Sequence, residues 1–353
     1  MISFRPLLAR VATRVRRLPP LEDVAAETVE WAPATTLPSP AIIQLPDELD
    51  RIVAFNKTVT REAFLSRCAA RDEHHPATVA RRYDGAILGD GTIYAGGGAH
   101  TIYRRGRTLA WRGRPVELGP RLLATNYTIE RYFGHWLLDG VALELLAEQH
   151  GLPALGLERA PWTQEQAYRV PLGLALEHHP LARVERLWVI DDRAMNGGHV
   201  ARMRELRRRV RNGARPGTGA PVFLRRVGGV KRVLLNQDAL ADSLARRGFE
   251  VLTPETESVD TLRAVLHDAP MVVSVEGSAL CHAMAGIADI GTIVAIQPPR
   301  RVDWILKVWA DAAGLRLAQA VATDAGDEGF TMEEDRLLRL FDLIGRERAR
   351  ATA

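Results

Sequence analysis

The chain has 353 residues, 46% hydrophobic and 25% charged, with a formal net charge of +4. That length predicts two domains, and so small a charge excess, with no aromatic-interleaved basic motif, argues against nucleic acid as a partner while suiting phosphate-bearing ligands. Two cysteines, Cys68 and Cys281, make neither a disulfide framework nor a zinc site by themselves; with no apolar run near the roughly 18 residues of a membrane span and no signal-peptide core, a reducing cytoplasm is the expected location.

In chain order, residues 1–18 place Ile2, Leu7, Leu8, Val11 and Val15 near one helical face and Arg10, Arg14, Arg16 and Arg17 largely on another. Two readings stand: a helix docked on its own domain, or a basic amphipathic helix lying peripherally on an anionic inner membrane. Pro33 to Pro46 reads as an extended lead-in, and residues 1–60 as an N-terminal extension. From Thr78 to about Thr128, short β-like pieces alternate with Asp-Gly and Gly-Gly turns, a meander of hairpins. Gly96-Gly97-Gly98 is a bend between strands rather than a phosphate loop, because no Lys-Ser/Thr follows it.

Leu137, Leu138, Val141, Leu145 and Leu146 recur at helical spacing, so a helix is expected from about Phe133 to His150. His135 and Asp139 stand four apart on one face near its start, and Tyr132, His135 and Trp136 crowd its N-terminus, where a ring and an imidazole can meet a ligand. Trp188 to Asp191 is a short strand. Asp191 and Asp192 are adjacent and point to opposite sides of an extended chain, so they do not form a Mg²⁺ pair, and the adjacent pairs His74-His75 and His178-His179 diverge likewise; no metal site is expected. The predicted helix Val200 to Arg211 carries Arg202, Arg204, Arg207, Arg208, Arg209 and Arg211, ordinarily a solvated face and alternatively a surface for an anionic acceptor. Residues 212–221, NGARPGTGAP, are the clearest linker.

Beyond the linker, strands at 222–225, 249–252, 271–275, 292–296 and about 315–317 alternate with helices at 237–247, 259–267, 279–287 and 302–313, which predicts a parallel sheet with right-handed crossovers. Ligands bind outside the carboxyl ends of such strands. Arg225 and Arg226, Glu255 and Glu257, Glu276, and Gln297-Pro298-Pro299 fall there. After the third strand, Gly277 allows close backbone approach and Ser278 can cap a helix or donate to phosphate. No G-x-G-x-x-G with a following acid is present, which argues against a dinucleotide oxidoreductase. Met332 to Arg350 is a charged amphipathic helix expected to cross back to the N-terminal half.

Four segments in order, NYTIERYFGHWLLDG (126–140), FLRR (223–226), KRVLLNQDALADSLARRGFEVL (231–252) and VVSVEGSALCHAMAG (272–286), resemble the family 61 glycosyltransferases, which include bacterial polysaccharide enzymes. The resemblance implies an α/β, GT-B-like fold: two Rossmann-like domains facing a cleft, with a β-rich N-terminal portion. Residues 61–211 would form the acceptor-side domain, 222–320 the nucleotide-sugar domain, and 321–353 a helix packing back. It implies an inverting, metal-independent transfer to a glycan or lipid-linked acceptor hydroxyl in capsule, lipopolysaccharide or exopolysaccharide assembly. The nucleotide sugar is then a substrate, with no cofactor. Donor contacts are expected from Arg225, Arg226, Asn236, Gly277, Ser278 and His282, acceptor contacts from Tyr132 and Trp136, and the base from His135 or Asp139, with Glu276 third. The family commonly has His-Gly-Ala/Ser where this chain has Glu276-Gly277-Ser278 and later His282. The alternative is therefore a non-catalytic nucleotide- or glycan-binding protein on the same fold.

Overall fold

The structure, a computed structural model, describes residues 2–4, 6–8, 11, 19–103, 110–227 and 232–352. The arginines expected on the N-terminal amphipathic helix, with Val15 and Lys231, lie outside these. The chain divides into two compact units, the first of residues 1–35 and 75–202 and the second of residues 36–74 and 203–353. No helix among the described residues is long and apolar enough to cross a membrane.

The first unit is built on a nine-stranded mixed sheet. Its strands are β1 (Glu27–Ala32), β2 (Thr78–Gly89), β3 (Thr92–Ala95), β4 (Gly98–Thr101), β5 (Val116–Leu118), β6 (Arg121–Leu123), β7 (Ala154–Gly156), β8 (Leu176–His178) and β9 (Leu181–Asp191). The order is β8-β7-β6-β9-β2-β3-β4, with β1 also on β2 and β5 also on β9. β7 and β9 flank β6 in parallel, whereas β2 runs antiparallel along β9 from Gly89 opposite Leu181 to Val79 opposite Asp191. The hairpin meander is therefore an edge of the same sheet, not a separate portion beside a Rossmann-like domain. Gly96 and Gly97, at φ of 53° and 80°, form the two-residue turn between β3 and β4, the left-handed geometry that suits a tight hairpin. Tyr83, Leu88, Ile93, Leu123, Leu155 and Leu187 are among its buried core residues.

The second unit holds a five-stranded parallel sheet of β10 (Val222–Leu224), β11 (Glu250–Leu252), β12 (Met271–Val275), β13 (Thr292–Gln297) and β14 (Arg316–Val321), in the order β11-β10-β12-β13-β14. In sequence terms this is 2-1-3-4-5, a doubly wound order whose direction reverses between β10 and β12. The expected strands and helices recur within a few residues. Every residue of β12 after Met271 and all of β13 is buried, as parallel strands covered on both faces must be.

Two boundaries differ from the expectation. Residues 36–74, expected in the N-terminal part, join the second unit because Ile43 exchanges backbone hydrogen bonds of 3.0 Å with Leu317 and Gln319, covering the edge of β14. The expected break at the 212–221 linker falls instead inside the helix Gly197–Arg211. That helix does not carry a simple solvated arginine face. Arg202 is buried against Asp192 at 2.6 Å, and Arg207 is buried and donates to the backbone of Met284 and Ile287 and to Asp289.

The C-terminal helix, Glu334–Thr352, inserts Leu337, Leu340 and Ile344 into the core beside Phe223, Val273 and Ile296, so it completes the second unit rather than crossing back. Its first turn is fixed by buried Arg336, which grips Asp47 through two bonds of 2.9 Å and Glu48 at 2.7 Å. Removing one partner of a buried pair leaves the other charge uncompensated. Arg336→Ala is expected to cost about 3–5 kcal/mol, read as a lower urea midpoint with an unchanged slope.

Candidate functional site

Two constellations stand out, one in each unit. In the first, the chain leaving β6 enters a helix at Tyr127–Arg131, capped by Asn126, whose side-chain oxygen accepts from the backbone N–H groups of Thr128 and Ile129 at 3.0 and 3.1 Å. The helix breaks at Tyr132, which is extended (φ −133°, ψ 126°), and restarts at Phe133. The turn Trp136–Gly140 is then π-helical before the α-helix Val141–Gln149. A π turn adds one residue to the helical repeat, a feature found often at functional sites. A Cβ on Gly140 would lie 3.1 Å from the Ile129 side chain, which would have to shift by a few tenths of an ångström to accept it.

On this turn His135 Nδ1 lies 2.6 Å from Asp139 Oδ2, with each side chain about one-fifth exposed. An ionised carboxylate only accepts, so the shared proton sits on Nδ1 and the lone pair of the neutral ring on Nε2. The helical spacing read from sequence thus brings His135 and Asp139 together as a pair. Tyr132 is 44% exposed with its ring 5.8 Å from that of His135, whereas Trp136 is buried at 1% and packs against Phe133 and under Arg169, so it is core rather than an open acceptor contact.

Beneath this segment a buried chain of charges ties the helices together. Arg169 reaches Glu144 and Glu165 at 2.8 Å each, Arg159 reaches Glu165 at 2.6 Å, and Thr125 donates to Glu130 at 2.5 Å. Burial pushes the Glu144 carboxyl up against the opposing pull of Arg169. A cavity of about 590 Å³ is lined by Arg159, Glu165, Arg169 and His178 among others. His178 Nδ1 bonds Leu157 O at 2.9 Å while His179 faces Glu177 at 3.7 Å, so the two histidines part as expected. Asp191 and Asp192 part as well, the first to Arg193 and the second, buried, to Thr78, His199 and Arg202.

In the second unit, the carboxyl ends of β10 and β12 flank the point where the sheet order reverses. Glu276 follows β12 and is buried; its Oε2 accepts from Arg232 Nη1 at 2.5 Å and Arg301 Nη1 at 3.0 Å, and Arg232 Nη1 also donates to Glu276 O at 3.0 Å. Arg232 has φ 62°, uncommon for a residue with a side chain, and Gly277 has φ +146°. A Cβ on Gly277 would come within 3.2 Å of Arg232 Nη1. Glycine therefore makes room for the guanidinium. Arg226 adds a third cation: the Gln237 side chain clamps its backbone N–H and C=O at 2.8 and 3.1 Å, and its Nη1 donates to Arg232 O at 3.3 Å. Burial first, then the charge of Arg232, pulls Arg226 below its ordinary value, yet a guanidinium so shifted stays protonated. Glu255 also faces Arg226, and Asp303 lies 3.9 Å from Arg301, so the three guanidiniums share this sheet edge with three carboxylates.

The other expected donor residues are placed differently. Arg225 pairs at 2.5 Å with Asp238 on the following helix. The Asn236 side chain is committed at both ends to the backbone of Met332, at 2.9 and 3.0 Å. Ser278 is exposed beside Gly277 at the start of the Ala279–Gly286 helix and makes no side-chain cap. His282 is buried in that helix, 3% exposed. Glu276, expected as a third candidate base, is held as the anchor of two arginines. Arg232 and Arg301 went unnamed as site residues in the sequence. Arg301 had a signal, since it follows Gln297-Pro298-Pro299 beyond the end of β13, but the left-handed turn that brings Arg232 back to Glu276 had none.

Burial pushes the His282 imidazole down to about 3. Its folded value is thus below its unfolded one near 6.5, so it contributes stability that is complete above pH 6.5 and lost as pH falls below it. Urea unfolding between pH 7 and 5 is expected to lose stability at a slope approaching about 1.4 kcal/mol per pH unit, and His282→Gln to flatten that slope.

No curated protein matches the chain. Among solved structures, the metal-soaked Flv1 flavodiiron core from Synechocystis sp. PCC6803 aligns over 77% of this chain and 64% of its own length, at 11% identity and a TM-score of 0.27. This chain therefore spans just under two thirds of that structure, and a likeness so low carries no argument. The model of the family described as Glycosyltransferase 61 matches residues 133–295. That stretch contains the His135–Asp139 pair, Arg226, Arg232 and Glu276, and over it the chain is similar to glycosyltransferase family 61.

Proposed function

We propose that the protein is an inverting glycosyltransferase that moves a sugar from a nucleoside diphosphate to an acceptor hydroxyl without a divalent cation, in assembly of a surface polysaccharide. The observation that carries this reading is the group Arg226, Arg232 and Arg301, organised by Glu276 at the reversal point of the second sheet. Cleavage of the donor leaves negative charge on a diphosphate, and preorganised guanidiniums aimed at developing charge stabilise it most strongly where water is partly excluded. The turn at Gly277 and Ser278, with the positive end of the helix behind it, supports the same anion. Together they supply the charge a metal ion supplies in other transferases.

The acceptor side of the reading rests on His135. The acceptor oxygen forms a bond to the anomeric carbon, the bond from that carbon to the diphosphate oxygen breaks with its electrons going to the leaving group, and the hydroxyl proton passes to His135 Nε2. Asp139 holds the ring in the required tautomer and balances the imidazolium that forms. Tyr132 beside the ring makes an acceptor contact. In this reading the donor binds the second unit and the acceptor the first. Attack from the face opposite the leaving group inverts the anomeric centre.

The test is a thermal-shift and turnover screen against UDP, GDP, CMP and their sugars, with and without EDTA. Binding of one nucleotide raises the midpoint by mass action and is expected to be insensitive to EDTA. Arg232→Ala is expected to weaken that binding about 10- to 100-fold. His135→Ala is expected to leave binding intact and lower kcat about 10²- to 10⁴-fold. Binding with no turnover by the unaltered chain would identify a nucleotide-binding protein on a transferase fold, and no binding of any nucleotide would overturn the donor site.

A further inference from the structure

The approach to His135 carries three tyrosines, two of them exposed and the third, Tyr103, packed by part of its surface against the first unit's core. Tyr127 and Tyr132 are 47% and 44% exposed. They are not scattered. Tyr127 opens the capped helix and Arg131 stands one turn later on the same side, where its guanidinium lies 5.6 Å from the Tyr127 ring centre and 5.5 Å from that of Tyr132. Arg131 also donates to the Tyr127 hydroxyl. Tyr103 continues the row at 5.8 Å from Tyr127, and at the other end Tyr132 is 5.8 Å from the His135 ring. Successive rings are tilted by 53° and 47°, so they do not stack on one another.

A contiguous exposed aromatic surface marks an interaction site, and its composition restricts the occupant. Among the described residues the row carries no aliphatic side chain, which a lipid tail would call for. Arg131 is exposed and lies beside the rings of Tyr127 and Tyr132. Faces of tyrosine with phenol and guanidinium groups between them suit a molecule with C–H faces and hydroxyl edges. An equatorially linked saccharide chain has that pattern in every ring. The break at Tyr132 sets an exposed ring directly before the His135 turn, so the row ends at the proposed base.

Resting on the reading of His135 given above, we propose that Tyr103, Tyr127, Arg131 and Tyr132 form an acceptor track that stacks successive sugar rings of a saccharide chain and delivers its terminal hydroxyl to His135. The acceptor is then a glycan several sugars long, recognised through its rings.

The full chain would be titrated calorimetrically with cellotetraose, xylotetraose and chitotetraose, each beside its monosaccharide, and in parallel with UDP, GDP and CMP. At least one tetrasaccharide is expected to bind about tenfold or more tightly than its monosaccharide, one stacking or cation–π contact being sufficient for that ratio. Tyr127→Ala and Arg131→Ala are each expected to remove most of that advantage, Tyr127→Phe to keep it, and none of them to alter nucleotide affinity. Equal midpoints in thermal unfolding keep the Ala variants interpretable, and Tyr127→Phe provides a folded variant in any case. Nucleotide binding with no tetrasaccharide binding, or with tetrasaccharide binding that Tyr127→Ala and Arg131→Ala leave unchanged, would overturn the track while leaving the transferase reading in place. Binding to phosphatidylglycerol vesicles in place of the tetrasaccharides would overturn it in favour of a lipid surface. Loss of nucleotide binding in the unaltered chain would instead count against the transferase reading itself.

Discussion

Guanidiniums repel one another, and a protein that gathers Arg226, Arg232 and Arg301 at one sheet edge must hold them there. Glu276 does so in the second unit: one buried carboxylate oxygen accepts from two of the three, and the backbone carbonyl of the same residue takes a further bond from Arg232. A buried carboxylate is costly unless paired, and a buried arginine is costly unless satisfied. Each condition here meets the other. The surrounding backbone follows from this arrangement: Arg232 accepts a left-handed conformation, Gly277 gives up its side chain, and Gln237 fixes the main chain of Arg226. The guanidiniums lie where a doubly wound sheet opens to ligands.

The first unit solves a different problem, which is to keep an imidazole in one tautomer at the end of a helix that changes pitch. A regular helix would carry the chain from Tyr127 to Gln149 without interruption. Instead an extended residue at Tyr132 and a π turn at Trp136–Gly140 leave the His135–Asp139 pair partly exposed on a segment whose other side is deeply buried. Glu144, Arg169, Glu165 and Arg159 hold that other side with charge-assisted hydrogen bonds. Such a network favours a single arrangement of the helices over a merely compact one, at a desolvation cost that apolar residues would not carry.

Some of the arginines belong to the interior of the fold rather than to its surface. Arg202, Arg207 and Arg336 are buried and each is matched by a carboxylate or by backbone carbonyls. The net charge is +4 because 47 lysines and arginines face 43 acidic residues. The proposed donor site lies where Arg226, Arg232 and Arg301 gather around Glu276.

The alternation of strands and helices after residue 221, the strand-turn-helix at Glu276-Gly277-Ser278, the hairpins around Gly96 and the His135–Asp139 pairing were all determined by sequence. Each depends on periodicity or on contacts four residues apart, which local spacing encodes. The resemblance to a family was legible too, because four ordered segments carry it. What tertiary structure alone decided is which side chains meet across long separations. Nothing local tells that Asn236 is taken by Met332, that Trp136 turns inward, that residues 36–74 complete the second sheet, or that Arg232 and Arg301 converge on Glu276. Those outcomes depend on the order of strands in a sheet and on a single residue's backbone sign, and neither is written in the spacing of residue types.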